Sequence, residues 1–357
     1  RTTKVARGVC AMLLNKCLRR KDDGLILKQK TFYKMLNVIK MIRWPNLLMV
    51  PLTMCLMRYC IVQPMLDYQF SPQLGEQITF QLSTGYFIVL VLINMFLGAA
   101  GYIINDYFDR HIDRINRPAE VIVGRVVPRR AAMVWHIIFD VIALALAAIF
   151  AHHLQKPAIF LLYAMIAGVF WLYSTTYKRQ LLIGNFVVAI GTATIPLQVG
   201  LFEYLTLTRT YGFEMLLKDL TFAPIMYWTV GFAFFAFIIN LIREIVKDME
   251  DLEGDNSGGC TTLPIAYGMR VSKIVVVCLS IMSIIALFLC YYFFLHEPLS
   301  FLYISIFIIV PIIIVCILTI RATEVKHYHR ISTIIKIIML FGVLYSLLAW
   351  QIIKYVV

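Results

Sequence analysis

Two short stretches of this chain hold eight of its 20 Asp and Glu, spaced as chemistry would need them. One reads Asn105-Asp106-Tyr107-Phe108-Asp109-Arg110-His111-Ile112-Asp113, the other Asp248-Met249-Glu250-Asp251-Leu252-Glu253-Gly254-Asp255. Each carries three aspartates at steps of three and then four, which on a helix lines the carboxylates along one face. Three like charges so placed repel one another and require a counter-ion. Hard oxygen donors on a short helical face suit Mg²⁺, which keeps some of its waters and binds phosphate oxygens as well as one or two carboxylates. Asn105 adds a neutral amide oxygen at the start of its row. Two such faces on one side of a protein could hold metal ions that bracket a diphosphate. A single acidic stretch is explained equally well as a solvated loop, but two with matching spacing are not.

The elements that must position these rows are membrane-spanning helices. The 357 residues are 61% hydrophobic with a mean hydropathy of +0.81, more apolar surface than a soluble fold can cover. Apolar runs of about the length that crosses the hydrocarbon core occur near 46–62, 82–104, 131–151, 158–177, 181–201, 222–243, 271–294, 299–320 and 334–357. These predict an all-α polytopic bundle of about nine transmembrane helices. Arg58 falls inside the first run and is expected to snorkel to the nearer interface.

Charge gives the orientation. Of the 33 Lys and Arg, 28 fall on one side when the loops are counted alternately, and four on the other (Lys156, Arg209, Lys218 and Lys354). That asymmetry puts the N-terminus and both acidic loops, 105–130 and 243–270, in the cytoplasm and the C-terminus outside. The localisation expected is an integral membrane protein of the cell (inner) membrane. Residues 1–43 read as a basic cytoplasmic segment partly lying on the membrane surface, with no cleavable signal peptide, and 44–357 as the transmembrane catalytic domain. The net charge of +13 is therefore attributed to topology and contact with anionic lipid, not to nucleic acid. The eight cysteines are scattered without a C-x-x-C pair and suggest neither a zinc site nor a disulfide framework.

A diphosphate handled inside an apolar bundle implies an apolar diphosphate. Neutralising the leaving diphosphate lets an allylic carbon–oxygen bond ionise. The cation then needs a dry pocket with aromatic faces, for which Phe170, Trp171, Tyr173 and Tyr177 are candidates. Asp140 one turn after His136 is read as a helix-pairing contact, and Asn185 and Asn240 as interhelical hydrogen-bonding groups.

These residues resemble the UbiA superfamily of intramembrane prenyltransferases from about Arg43 to the C-terminus. The resemblance rests on Asn105–Asp113 followed by Arg114-Ile115-Asn116-Arg117-Pro118, and on Arg243-Glu244-Ile245-Val246-Lys247-Asp248 through Asp255 with Thr262-Leu263-Pro264. Arg43-Trp44-Pro45-Asn46 is similar to the family's opening R-x-x-N, and Tyr173 to Arg179 with Gly184-Asn185 to its middle signature. The resemblance implies nine helices around a central cavity, Mg²⁺ as cofactor, and a prenyl diphosphate and a lipophilic acceptor as substrates. It implies that Asn105, Asp109, Asp113, Asp251 and Asp255 are catalytic through Mg²⁺ and diphosphate, with Asp106 and Asp248 completing the metal set. Arg43, Asn46, Lys178, Lys247, Tyr173 and Arg117 would contact substrate. The second motif is most similar to the branch that transfers geranylgeranyl to geranylgeranylglyceryl phosphate. One departure concerns Ala119-Glu120-Val121-Ile122-Val123, where the family often has R-P-I-P-S ahead of Gly124-Arg125; this loop is expected to cover the site. A quinone-type aromatic acceptor, a terpene cyclase on the same scaffold, and a cation or lipid transporter remain open alternatives. Protein partners are unknown at this stage.

Overall fold

The computed structural model describes residues 37–356. Among them, nine helices are long and apolar enough to cross a membrane: α1 Trp44–Leu74, α2 Thr84–Asn116, α3 Arg129–Leu154, α4 Ala158–Thr175, α5 Ile183–Leu217, α6 Ala223–Glu250, α7 Leu263–Leu295, α8 Pro298–Arg321 and α9 Val325–Tyr355. The N-terminal segment expected to lie on the membrane surface falls, up to residue 36, outside the described residues. The bundle has no strand among the described residues beyond one isolated bridge between Val123 and Val127. That is the result expected of a chain whose backbone polar groups must be satisfied within each crossing.

The helices outrun their apolar cores. α1 continues past the expected end at residue 62 through two π-helical turns, Met57–Val62 and Met65–Phe70. α5 runs to Leu217 and α9 begins at Val325, both beyond the hydropathy limits. α5 pairs with α6, α2 with α3, and α9 packs on α6 and α1, which closes a ring around an internal space.

Arg58 does not snorkel. It is 1% exposed, with Nη1 3.7 Å from Glu203 of α5 and Nη2 donating to the Leu82 carbonyl at 2.6 Å. Its guanidinium lies 4.0 Å from the Phe80 ring centroid and 4.5 Å from that of Phe87. Glu203, also 1% exposed, accepts the backbone N–H of Gln81 at 2.7 Å and of Leu82 at 3.3 Å. A charge with a partner and aromatic faces in reach stays inside, because pairing offsets desolvation there. This group ties α1 and α5 to the chain between α1 and α2, at the end of the bundle opposite the acidic motifs.

Other polar groups also link helices. His136 on α3 contacts the Ala100 carbonyl of α2 at 3.2 Å and Asp140 at 3.2 Å. Asn240 donates to Thr192 Oγ1 at 2.9 Å. The loop after α2 folds into a tight turn, with Gly124 N donating to Val127 O at 2.7 Å. Gly124 has φ +84°, and a Cβ there would come within 2.8 Å of the Arg110 side chain, so glycine is required. Val123 and Val127 pack with Met41, Ile103 and Ala132. None of residues 118–128 lines the central cavity. The loop expected to cover the site is anchored by its own apolar residues against α2 and α3.

Candidate active site

The first acidic row lies on α2, whose helix runs unbroken to Asn116. The second does not share one uninterrupted helix, as its spacing suggested. α6 stops at Glu250, Asp251 is the junction (φ −93°, ψ 10°), and Asp255 sits on a short helix, Leu252–Ser257. Helical bonding resumes at once, with Asp255 N donating to Asp251 O at 3.0 Å.

Asn116, at the end of the first row, joins the two. Its Oδ1 accepts the Gly254 N–H at 2.8 Å and its Nδ2 donates to the Asp251 carbonyl at 3.0 Å. The approach is close enough that a Cβ on Gly254 would fall 2.4 Å from the Asn116 amide. Asn116 belonged to a run already notable in the sequence, yet nothing local to it revealed this role.

Each carboxylate has a definite surrounding. Lys178, on the 3₁₀ turn Tyr177–Arg179, contacts Asp109, with Asp255 as its next acidic neighbour. That turn is held by Thr261, whose N–H and hydroxyl both donate to the Arg179 carbonyl at 2.8 Å. It also needs Gly184, where a Cβ would meet the Lys178 backbone at 2.9 Å. Arg43 donates to Asp106 at 2.7 Å. Arg117 forks onto both oxygens of Asp251, at 2.8 and 2.9 Å. Asn185 of α5 donates to Asp248 at 2.8 Å. Lys247 lies 3.4 Å from Glu244, which also contacts Arg243. Asp113 has no cation within ion-pair distance among the described residues.

The electrostatics follow from this burial. Burial disfavours the Lys178 ammonium, but Asp109, Tyr173 and Asp255 together outweigh it and hold the group above the ordinary lysine range. Burial and Asp106 oppose each other in the same way at Arg43, with the same outcome. At Arg117, burial is again overcome by Asp251 and Glu250. Asp255, only 4% exposed, is pushed up to about 6 by burial, with Lys178 drawing it partly back. Burial, then the neighbouring Asp255 charge, lifts the Cys260 thiol to about 11.

Beside these groups lies a cavity of about 1700 Å³, larger than the roughly 300–1,000 Å³ of a usual small-molecule site. Asn105, Arg43, Asn46, Lys178, Lys247 and Tyr173 all line it. Asp106, Asp109, Asp113, Asp248, Asp251, Asp255 and Arg117 do not line it. The rest of the lining is mostly apolar and aromatic, including Phe170, Trp228, Phe232 and Phe235. Trp171 faces elsewhere, stacking on His136.

Among the described residues no three acidic, His or Cys side chains converge as a ready-made metal cage. The donor set nevertheless fits a hard divalent cation. Asn105 Oδ1 is buried without a hydrogen-bond partner, a state that costs free energy unless a cation or donor is supplied. The Lys178 ammonium supplies positive charge beside Asp109 and Asp255. Asn105, Asp113 and Asp255 are the residues that would hold Mg²⁺ directly, with Asp109, Asp248 and Asp251 reachable on release from Lys178, Asn185 and Arg117.

The chain matches the UbiA prenyltransferase family over residues 75–351. It is 32% identical over 260 residues to a digeranylgeranylglyceryl phosphate synthase of Methanosphaera stadtmanae, spanning 72% of this chain and 85% of that protein. A protein of the same name from Methanothermobacter thermautotrophicus is 30% identical over 265 residues, spanning 72% and 83%. Among solved structures, one from work on digeranylgeranylglyceryl phosphate synthase in membranes has a TM-score of 0.57 at 22% identity, covering 89% of this chain and 98% of the other. The apo structure of a UbiA homolog from Aeropyrum pernix has a TM-score of 0.52 at 14% identity, covering 81% and 96%. The two structures share the helical membrane fold. With that fold, two linked acidic motifs at one end of an apolar cavity, and a family match across most of its length, this chain is a member of the UbiA prenyltransferase family.

Proposed function

We propose that this protein transfers a long prenyl group, such as geranylgeranyl, from its diphosphate to the hydroxyl of a lipid glycerol phosphate. The active-site end would face the cytoplasm at the cell membrane. The observation that carries this reading is the juxtaposition of the two linked acidic motifs with the polar end of a large apolar cavity. The names of the relatives in Methanosphaera and Methanothermobacter support the choice of acceptor. When bound, Mg²⁺ would neutralise the diphosphate as it leaves.

The remaining work falls to the chain's own residues. Asn105, Asp109, Asp113, Asp251 and Asp255 form the catalytic set, with Asp106 and Asp248 supporting it. Arg43 and Lys178, preset as cations, take phosphate oxygens. Asn46 and Tyr173 bound the polar end of the cavity. Arg117 holds Asp251 in place and is a switchable partner for it. The carbon–oxygen bond breaks with its electron pair on the diphosphate. The acceptor hydroxyl oxygen then bonds to the prenyl carbon, and its proton leaves with the diphosphate. Phe170 and Trp228 keep the cavity dry while the allylic cation lasts.

The test is product analysis by mass spectrometry with purified protein, Mg²⁺, geranylgeranyl diphosphate and a panel of acceptors. Asp109→Ala and Asp255→Ala should abolish diphosphate release without changing the elution profile or helical signal. Retained turnover in both variants refutes the assignment. Cyclised product without acceptor would point to the cyclase, and uptake into vesicles without turnover to a transporter.

A further inference from the structure

Three further cations line the cavity beside Arg43 and Lys178, and of these only Lys247 belongs to the site residues described above. Arg243 and Lys247 lie one turn apart on α6, and Lys336 lies on α9; all three line the cavity. Arg243 and Lys247 share a single carboxylate, Glu244, from which Lys247 stands 3.4 Å away. The Arg243 Nε is buried and has no hydrogen-bond partner. Among the described residues, Lys336 has no carboxylate within ion-pair distance. The charged groups that act on it most are Arg243, Lys247, Arg117 and the acid Glu250. Glu250 is already engaged by His329 at 2.9 Å and Arg117 at 3.6 Å. The three cations contact one acid between them, Glu244; Asp248 and Asp255 also neighbour Lys247, which leaves Lys336 as the uncompensated charge at the edge of an apolar space. Such a charge is unfavourable unless an anion meets it.

The cations of the diphosphate side differ in this respect, since Arg43 is paired with Asp106 and Lys178 with Asp109. The two groups are adjacent, because Tyr102 neighbours both Arg43 and Arg243. Thr333, one turn before Lys336, also lines the cavity, its hydroxyl donating to the His329 carbonyl at 3.0 Å. Next to Lys336, Ile337 is half-exposed and lines the same cavity. An amphiphile could therefore seat its charged head at this rim with its chain in the apolar space.

We propose that Arg243, Lys247 and Lys336 form a second anion site that binds the phosphomonoester of the lipid acceptor. A phosphomonoester carries about −1.5 to −2 near neutral pH and would supply the carboxylate-like partner that Lys336 lacks. The proposal rests on the reading of the acceptor as a phosphorylated lipid, and it assigns Lys247, a residue the family resemblance implies would contact substrate, to the acceptor. The same chemistry could come from the released diphosphate, so the test separates the two sources.

The reconstituted full chain is assayed as wild type, Lys336→Met and Lys336→Arg. The acceptors are the glycerol-phosphate lipid and its dephosphorylated alcohol. Loss of one charge-assisted contact raises the KM for the phosphorylated acceptor about tenfold in Lys336→Met. The KM for the alcohol, the KM for prenyl diphosphate and inhibition by inorganic diphosphate stay put, and Lys336→Arg restores most of the loss. A shift in prenyl diphosphate KM or diphosphate inhibition instead assigns the group to the leaving group and overturns the proposal. So does a Lys336→Met variant with every constant unchanged. If the wild type does not use the phosphorylated lipid at all, the functional reading fails, and the site is read by glycerol phosphate alone. Glycerol phosphate raising the unfolding temperature of the wild type but not of Lys336→Met supports the site; equal shifts or none overturn it.

Discussion

Asn116 offers the sharpest test of how the two motifs are held together. Its side chain makes two hydrogen bonds across the joint, to Gly254 N at 2.8 Å and Asp251 O at 3.0 Å. Each such bond is worth roughly 0.5–1.5 kcal/mol net. Asn116→Ala should therefore loosen the joint by about 1–3 kcal/mol. The carboxylates of the two rows must meet at one site, so most of that loss should reappear as a weaker hold on Mg²⁺. At 1.4 kcal/mol per tenfold, the Mg²⁺ concentration for half-maximal diphosphate release should rise about 5- to 150-fold. The rate at saturating Mg²⁺ should change much less, since no oxygen donor of the metal set is removed. Gly254→Ala attacks the joint from the other side, because its Cβ would fall 2.4 Å from the Asn116 amide, and should give the same signature. The assay is diphosphate release against Mg²⁺ in nanodiscs, with thermal unfolding alongside. If both variants keep the wild-type Mg²⁺ dependence and unfolding temperature, Asn116 does not couple the motifs and the reasoning fails.

Two further perturbations probe other parts of the molecule. Glu203→Gln should destabilise by about 3–5 kcal/mol, because it leaves the buried Arg58 charge unpaired; Arg58→Met with Glu203→Met should recover much of this in thermal unfolding, and a double variant worse than the single would contradict it. Cys260, lifted to about 11 by burial and Asp255, should be about 0.1% thiolate at pH 8 and react correspondingly slowly with iodoacetamide. Below that pKa its thiolate fraction rises tenfold per pH unit, so a rate levelling off near pH 8–9 in mass-spectrometric labelling would refute the assignment.

The sequence by itself determined the helices, their number among the described residues and the spacing of the acidic rows. These are properties of consecutive residues, set by hydropathy over about twenty positions and by the three- and four-residue steps of a helix. It also brought the family within reach through contiguous motifs. It could not determine which cation meets which carboxylate. Arg43 and Asp106 are 63 residues apart, Lys178 and Asp109 69, and Arg117 and Asp251 134. Arg58 shows the cost of reading locally. Alone in an apolar run, a charge should reach for water, and only the packing of α5 against α1 supplies Glu203 to keep it buried. The break at Asp251, the Asn116 bridge and the cation cluster in which Lys336 lacks an ion-pair partner were decided in the same way. They exist because close packing of distant helices fixes which polar groups find partners and which are left facing the cavity.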